Sequence, residues 1–128
     1  MAKLIFNYPF MKPEYVLNAE TLSIGRVPGN DIVIPDYALF RKLTSGTQSG
    51  WVQQLIKVSR HHARMQKRDG QWFLEDLGSR GVGSTYGTYV NDIRLEVQKP
   101  YLLRSGDRIR LATVDIVFHD EEEASSNG

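Results

Sequence analysis

Apolar positions fall along this chain in short alternating runs, and each run predicts a strand. Lys3-Leu4-Ile5-Phe6 and Tyr15-Val16-Leu17 are the first two, parted by a proline-bearing turn over Tyr8 to Pro13. Thr21-Leu22-Ser23-Ile24 alternates polar with apolar, breaks at Gly25-Arg26-Val27-Pro28-Gly29-Asn30, and is followed by Ile32-Val33-Ile34, which Pro35-Asp36 ends. Ala63 to Arg68 runs into Asp69-Gly70, the strongest short hairpin signal in the chain, and Gln71 to Glu75 is the return strand. Thr88-Tyr89-Val90, Tyr101-Leu102-Leu103, Arg108 to Leu111 and Asp115 to Phe118 complete the set, with turns at Asn91-Asp92 and Ser105-Gly106.

Two segments break the pattern. Between Tyr37 and Lys57 lies a polar Ser/Thr/Gly loop, Thr44 to Gly50, followed by Trp51, Val52, Leu55 and Ile56 at a spacing that predicts one short amphipathic helical turn. Gly78 to Gly87 is a glycine-rich loop able to bring backbone N–H groups close to an anion. Many short strands, frequent turns and almost no helical period predict an all-β sandwich, whose end loops converge from distant parts of the sequence.

Composition narrows this further. A chain of 128 residues fits one domain with a real core, expected over 1–119 with 37–57 as an insertion and 120–128 as an acidic flexible tail. Without cysteine there is neither a disulfide framework nor a thiolate zinc site, which permits a cytoplasmic or other reducing intracellular compartment. The brief apolar start is neither a signal peptide nor a membrane span, so no membrane insertion is expected. Net charge is +1, but Asp120 and Glu121 to Glu123 cluster at the end, and without those four acids the body carries +5. That suits an acidic partner, although the cations are scattered among acids and form no nucleic-acid stripe.

The richest chemistry lies in Val58-Ser59-Arg60-His61-His62-Ala63-Arg64-Met65, where a cationic loop runs into a strand. Hydroxyl, guanidinium and imidazole donors in succession suit an anion site; the same residues also suit a solvated strand entrance. Arg26 on the glycine-bearing loop and Thr85 on the long glycine-rich loop are further candidates. Catalytic and metal readings find little support. His61, His62 and His119 lack metal-ligand spacing with nearby acids, and the Gly81, Gly83, Gly87 series lacks a phosphate-loop lysine and leads into a strand where a helix is needed. No cofactor or metal is called for. Trp72 and Phe73 fall in a strand, and one or both are expected in the core rather than stacked on bases.

Four blocks together resemble the forkhead-associated (FHA) family: Ile24-Gly25-Arg26 with Asn30-Asp31-Ile32; Ser59-Arg60-His61-His62-Ala63; Thr85-Tyr86-Gly87-Thr88-Tyr89-Val90-Asn91; and Leu103 to Ile109. The resemblance covers about Leu4 to Phe118. It implies two twisted, mainly antiparallel sheets whose end loops bind phosphothreonine peptides, a mode of recognition that uses arginine clusters. Carried over position by position, it implies that Arg26, Ser59, Arg60 and Thr85 meet the phosphothreonine, and that His62 braces the loops with Gly25 and Gly87 in support. It implies that Asn91 buttresses a loop and approaches the peptide. The partner it implies is a phosphothreonine-containing protein marked by a Ser/Thr kinase and bound by a monomeric, non-enzymatic module.

Two departures stand out. The family usually carries an asparagine immediately before the glycine of the third block, as a clamp on the peptide backbone; here that residue is Tyr86, which lacks the amide's paired donor and acceptor. About twenty residues also separate Asp36 from Ser59, where the family needs a few. With the clamp replaced, the alternative is a phosphate-independent interaction or self-association module of the same fold. Two readings of the insertion stand side by side: it packs Trp51 and Leu55 on the sandwich and adds peptide contacts, or it is a tolerated surface excursion.

Overall fold

A computed structural model describes residues 1–43 and 53–121. The strands are β1 (Ala2–Asn7), β2 (Glu14–Val16), β3 (Thr21–Gly25), β4 (Ile32–Val33), β5 (Ala63–Arg68), β6 (Gln71–Asp76), β7 (Thr88–Val90), β8 (Ile93–Arg94), β9 (Tyr101–Leu102), β10 (Arg108–Leu111) and β11 (Val114–Asp120). One helix, α1 (Tyr37–Leu43), follows β4. The strands form a six-stranded sheet in the order β2-β1-β11-β10-β7-β8 and a five-stranded sheet in the order β4-β3-β5-β6-β9. Every pairing is antiparallel except β3 with β4.

Alternation explains the layers. In β10 and β11, Ile109, Leu111, Val114, Ile116 and Phe118 point inward while Arg108, Asp115 and Val117 face out. They meet Leu22, Ile24, Ala63, Met65, Trp72 and Leu74 from the other sheet. Trp72 is therefore core, as the pattern predicts, whereas Phe73 is half-buried beneath Arg68. The two-residue turns Asp69-Gly70 and Asn91-Asp92 both carry positive φ, at 51° and 77° and at 49° and 69°, which matches the right-handed strand twist of a tight hairpin. Asp120 ends β11 as a buried residue opposite Ala2.

Helix α1 was not foreseen. Its start is nevertheless written in the sequence, because Asp36 Oδ1 accepts from the Ala38 and Leu39 amides as an N-cap. Residues 53–55 form the expected helical turn, while Trp51 and Val52 lie outside the described residues. Leu55 and Phe40 pack with Phe10 in a satellite cluster flanked by Tyr8. Phe10 and Phe40 meet edge to face with centroids 5.1 Å apart. This cluster ties both ends of the insertion to the β1–β2 loop. Among the described residues no helix is long and apolar enough to cross a membrane.

Candidate functional site

Three loops converge at the end of the sandwich where β3 and β6 finish and β5 and β7 begin. They are the β3–β4 loop, the segment from the insertion into β5, and the β6–β7 loop. Gly25 is required at the first of these, since a Cβ there would collide with the Arg60 carbonyl. The close approach lets the Arg26 amide donate to Ser59 O at 3.1 Å, and Asn30 Nδ2 donates to Arg60 O at 2.9 Å and to Val27 O at 2.8 Å. Arg26 Nε donates to Val58 O at 2.9 Å, so part of its guanidinium is fixed and the rest is left for a ligand.

His62 is fully buried and joins the two sheets. Its Nδ1 accepts from the Ser59 amide at 3.0 Å, which puts the ring proton on Nε2, where it donates to Gly87 O at 2.9 Å. Burial lowers its pKa below 6.5, against the opposing effects of the Gly87 carbonyl and the Asp76 charge, and keeps the ring neutral. A single imidazole thus orients Ser59 and the third loop together. Gly87 also has a positive φ of 87°, a conformation that residues with a side chain rarely adopt, and a Cβ there would press on the Arg94 and Tyr89 side chains.

The β6–β7 loop has its own anchor, which sequence reading missed. Asp76 is buried, and its Oδ1 accepts from Ser84 Oγ at 2.6 Å and Thr88 Oγ1 at 2.7 Å, while Oδ2 accepts from the Ser84 amide at 3.2 Å. Behind it, Gln98 N donates to Asp76 O. In the sequence Asp76 merely ends a strand. Its role depends on Ser84 and Thr88 returning 8 and 12 residues later.

The loops enclose a cavity of about 400 Å³ lined by Arg26, Ile56, Ser59, Arg60, Ser79, Arg80, Val82, Gly83 and Thr85. Among the described residues no carboxylate lines it. Among the described residues, the Ser59 and Thr85 hydroxyls and the Arg60 and Arg80 guanidiniums make no hydrogen bond or ion pair. Unpaired donors on a shared concave surface are chemically an anion receptor. Four candidates from the sequence, Arg26, Ser59, Arg60 and Thr85, are therefore brought together, and Ile56, Ser79, Arg80 and Val82 join them unforeseen.

Tyr86 is exposed next to Thr85, with Lys57 Nζ 5.7 Å from its ring centroid. Asn91 does not approach the cavity. It lies at the opposite end of β7, where its Nδ2 donates to Asp107 Oδ1 at 2.9 Å and its Oδ1 accepts from the Arg108 amide at 2.9 Å. These bonds tie the β7–β8 turn, in which Asn91 sits, to the loop that leads into β10, and the three-residue β7 separates Asn91 from Gly87. Among the described residues no cluster of three or more metal-ligating side chains occurs.

The model of the FHA domain matches residues 22–112. This chain belongs to the forkhead-associated family. Relatives include the oxoglutarate dehydrogenase inhibitor of Corynebacterium diphtheriae, 30% identical over 104 residues that make up 81% of this chain and 54% of that protein. The chain spans about half the length of the curated relatives it matches first. Among solved structures, Mycobacterium tuberculosis EmbR in complex with a low-affinity phosphopeptide is 26% identical with a TM-score of 0.66, over 92% of this chain and 24% of that one. The N-terminal FHA domain of S. cerevisiae Rad53p, solved with a phosphothreonine peptide, shares the fold at a TM-score of 0.68 and 17% identity, over 99% of this chain and 98% of that one.

Proposed function

We propose that this FHA domain is an interaction module that binds phosphothreonine peptides in the cavity between the three loops, and so recruits proteins marked by a Ser/Thr kinase. The observation that carries the reading is the set of unpaired donors from Arg26, Ser59, Arg60 and Thr85 on one acid-free surface. A phosphothreonine brings about −1.5 to −2 charges and three acceptor oxygens, and each charge-assisted bond to it contributes about 1.5 to 3 kcal/mol. Two guanidiniums and two hydroxyls meet that demand with no metal and no catalytic base. The likeness to EmbR, solved with a phosphopeptide, supports the same reading. A kinase-marked partner places the module in an intracellular compartment such as the cytoplasm.

The insertion takes part. Its helical turn is held at Leu55 and at the fully buried Val58, whose amide donates to Leu55 O at 3.0 Å, and this delivers Ile56, three positions before Ser59, to the cavity rim. A phosphate-independent reading draws on the exposed apolar groups at the same rim, Ile56, Val82 and Tyr86. Calorimetric titration with matched phosphothreonine and unmodified peptide libraries separates the two readings. Heat only with the phosphorylated set is the expected result; equal binding of both sets supports the second reading instead.

A further inference from the structure

The outer face of the six-stranded sheet carries an arginine–tyrosine stack in which the phosphothreonine cavity has no share. Strand register puts Asp115, Arg110, Tyr89 and Arg94 in one row across β11, β10, β7 and β8. Val90, Ile109 and Leu111 alternate with them and are buried in the core, so the row faces outward. The Arg110 guanidinium carbon lies 4.1 Å from the Tyr89 ring centroid, and that of Arg94, on the strand at the other side, lies 6.0 Å from it.

Other cations on the two sheet faces are matched. Lys3 pairs with Glu14 at 3.2 Å and Arg108 with Asp92 at 3.5 Å, while Arg64, on the opposite sheet, donates through Nε and Nη2 to Glu75. Arg110 has no such partner. Its Nε is buried without an acceptor, and among the described residues its side chain makes no hydrogen bond or ion pair. Asp115, its cross-strand neighbour, does not pair with it and lines a separate hollow of about 290 Å³ with Asn7, Arg108 and Val117. Arg94 reaches only Ser84 O, from Nη2 at 3.5 Å. A guanidinium stacked by its face on a ring keeps its N–H groups in the plane, where a carboxylate can accept from two at once. The stack also fixes the side chain beforehand, which lowers the entropy cost of that bond.

We propose that this sheet face, centred on Tyr89, is a second docking surface that receives a carboxylate-rich segment of a protein partner, with Arg110 and Arg94 as its anchors. Tyrosine and arginine are the residue types that most often carry interface energy, and the surplus of positive charge around the ring selects an acidic partner over a basic one. The occupant needs no phosphate and lies on the flat of the sheet. The inference therefore stands independently of what the cavity between the loops binds.

The test is a titration of the domain with a hexaglutamate peptide while backbone amide shifts are recorded, with a glycine–serine peptide of equal length as the neutral control. Shifts are expected at 88–90, 93–94 and 108–111 with the acidic peptide alone, and they should weaken as salt is raised. Arg110→Ala should lower the affinity read at those positions by about tenfold. Arg110→Gln, which keeps a side chain packed on Tyr89 and so guards against a loss of fold, should lower it by about as much. Both variants should bind a neutral-flanked phosphothreonine peptide within about twofold of the parent chain, because the two surfaces share no residue. Shifts confined to the cavity loops, shifts on the sheet face that persist in both variants, equal shifts with the neutral peptide, or none with either peptide would each overturn the proposal.

Discussion

The two ends of the sandwich carry similar polar residues and use them in opposite ways. At the far end, Asn91 bonds Asp107 and the Arg108 amide, Asp107 accepts from the Arg104 amide, Arg108 reaches Asp92, and Ser105 Oγ accepts from the Asp120 amide. The polar groups are spent on closing turns. At the near end the supporting groups, Asn30, His62 and Asp76, are used just as fully, but they hold up a second set, Ser59, Arg60, Arg80 and Thr85, whose side chains have no partner among the described residues. Residue type alone does not mark a binding site. The mark is a braced backbone that carries unspent donors.

Substitutions at the two ends sharpen that contrast. Arg26→Ala should lower phosphothreonine-peptide affinity by about a hundredfold or more, the worth of one to two charge-assisted bonds, and cost only about 1 kcal/mol of stability through the lost bond to Val58 O. Asn91→Ala, at the other end, should cost about 1 kcal/mol of stability and leave affinity unchanged. Calorimetry combined with urea denaturation reads both. An unfolded Arg26→Ala would make Arg26 a brace like Asn91 and erase the distinction.

Asp76→Ala tests the brace itself. It leaves the Ser84 and Thr88 hydroxyls buried without an acceptor and should cost about 3 kcal/mol, seen as a lower urea midpoint. Conservative Asp76→Asn retains the acceptor oxygen of the amide and should cost less.

The brace at His62 gives the near end a pH dependence. Its pKa in the fold lies below 6.5, so as pH falls the unfolded chain takes up the proton first. The stability it contributes is fully present above pH 6.5 and is lost as pH falls from there through the lower folded value. Protonated Nδ1 also loses its bond from the Ser59 amide. Urea midpoints measured from about pH 7.5 down to about pH 5.5 should therefore fall, and His62→Gln should flatten that part of the slope.

The smallest effect belongs to Tyr86. Restoring the family's asparagine with Tyr86→Asn should tighten phosphothreonine binding by about threefold to tenfold, the worth of one added hydrogen bond. Unchanged or weaker binding would assign Tyr86, with Lys57 above its ring, a contact of its own.

The strands other than β8, both two-residue turns and the convergence of Arg26, Ser59, Arg60 and Thr85 were legible because alternation, turn chemistry and motif order are local signals, whereas β8 is a two-residue strand too short to show any alternation. Helix α1 escaped because only Phe40 of its seven residues is buried, so it shows no apolar stripe. Asp76 and Arg80 escaped for a different reason. Their roles depend on where the glycine-rich loop turns back, and the positive φ values at Gly78, Gly81, Gly83 and Gly87 that steer it permit many other paths. Asn91 was drawn toward the site by its place in a motif, although strand geometry carries it to the far end.

The most direct measurement is a map of backbone amide shifts as a phosphothreonine peptide is titrated into the domain. The account predicts changes concentrated at 25–27, 56–62 and 79–87, with none at 91–94 or 104–108. Changes centred on the Asn91 turn, or a map that is the same with the unphosphorylated peptide, would contradict it.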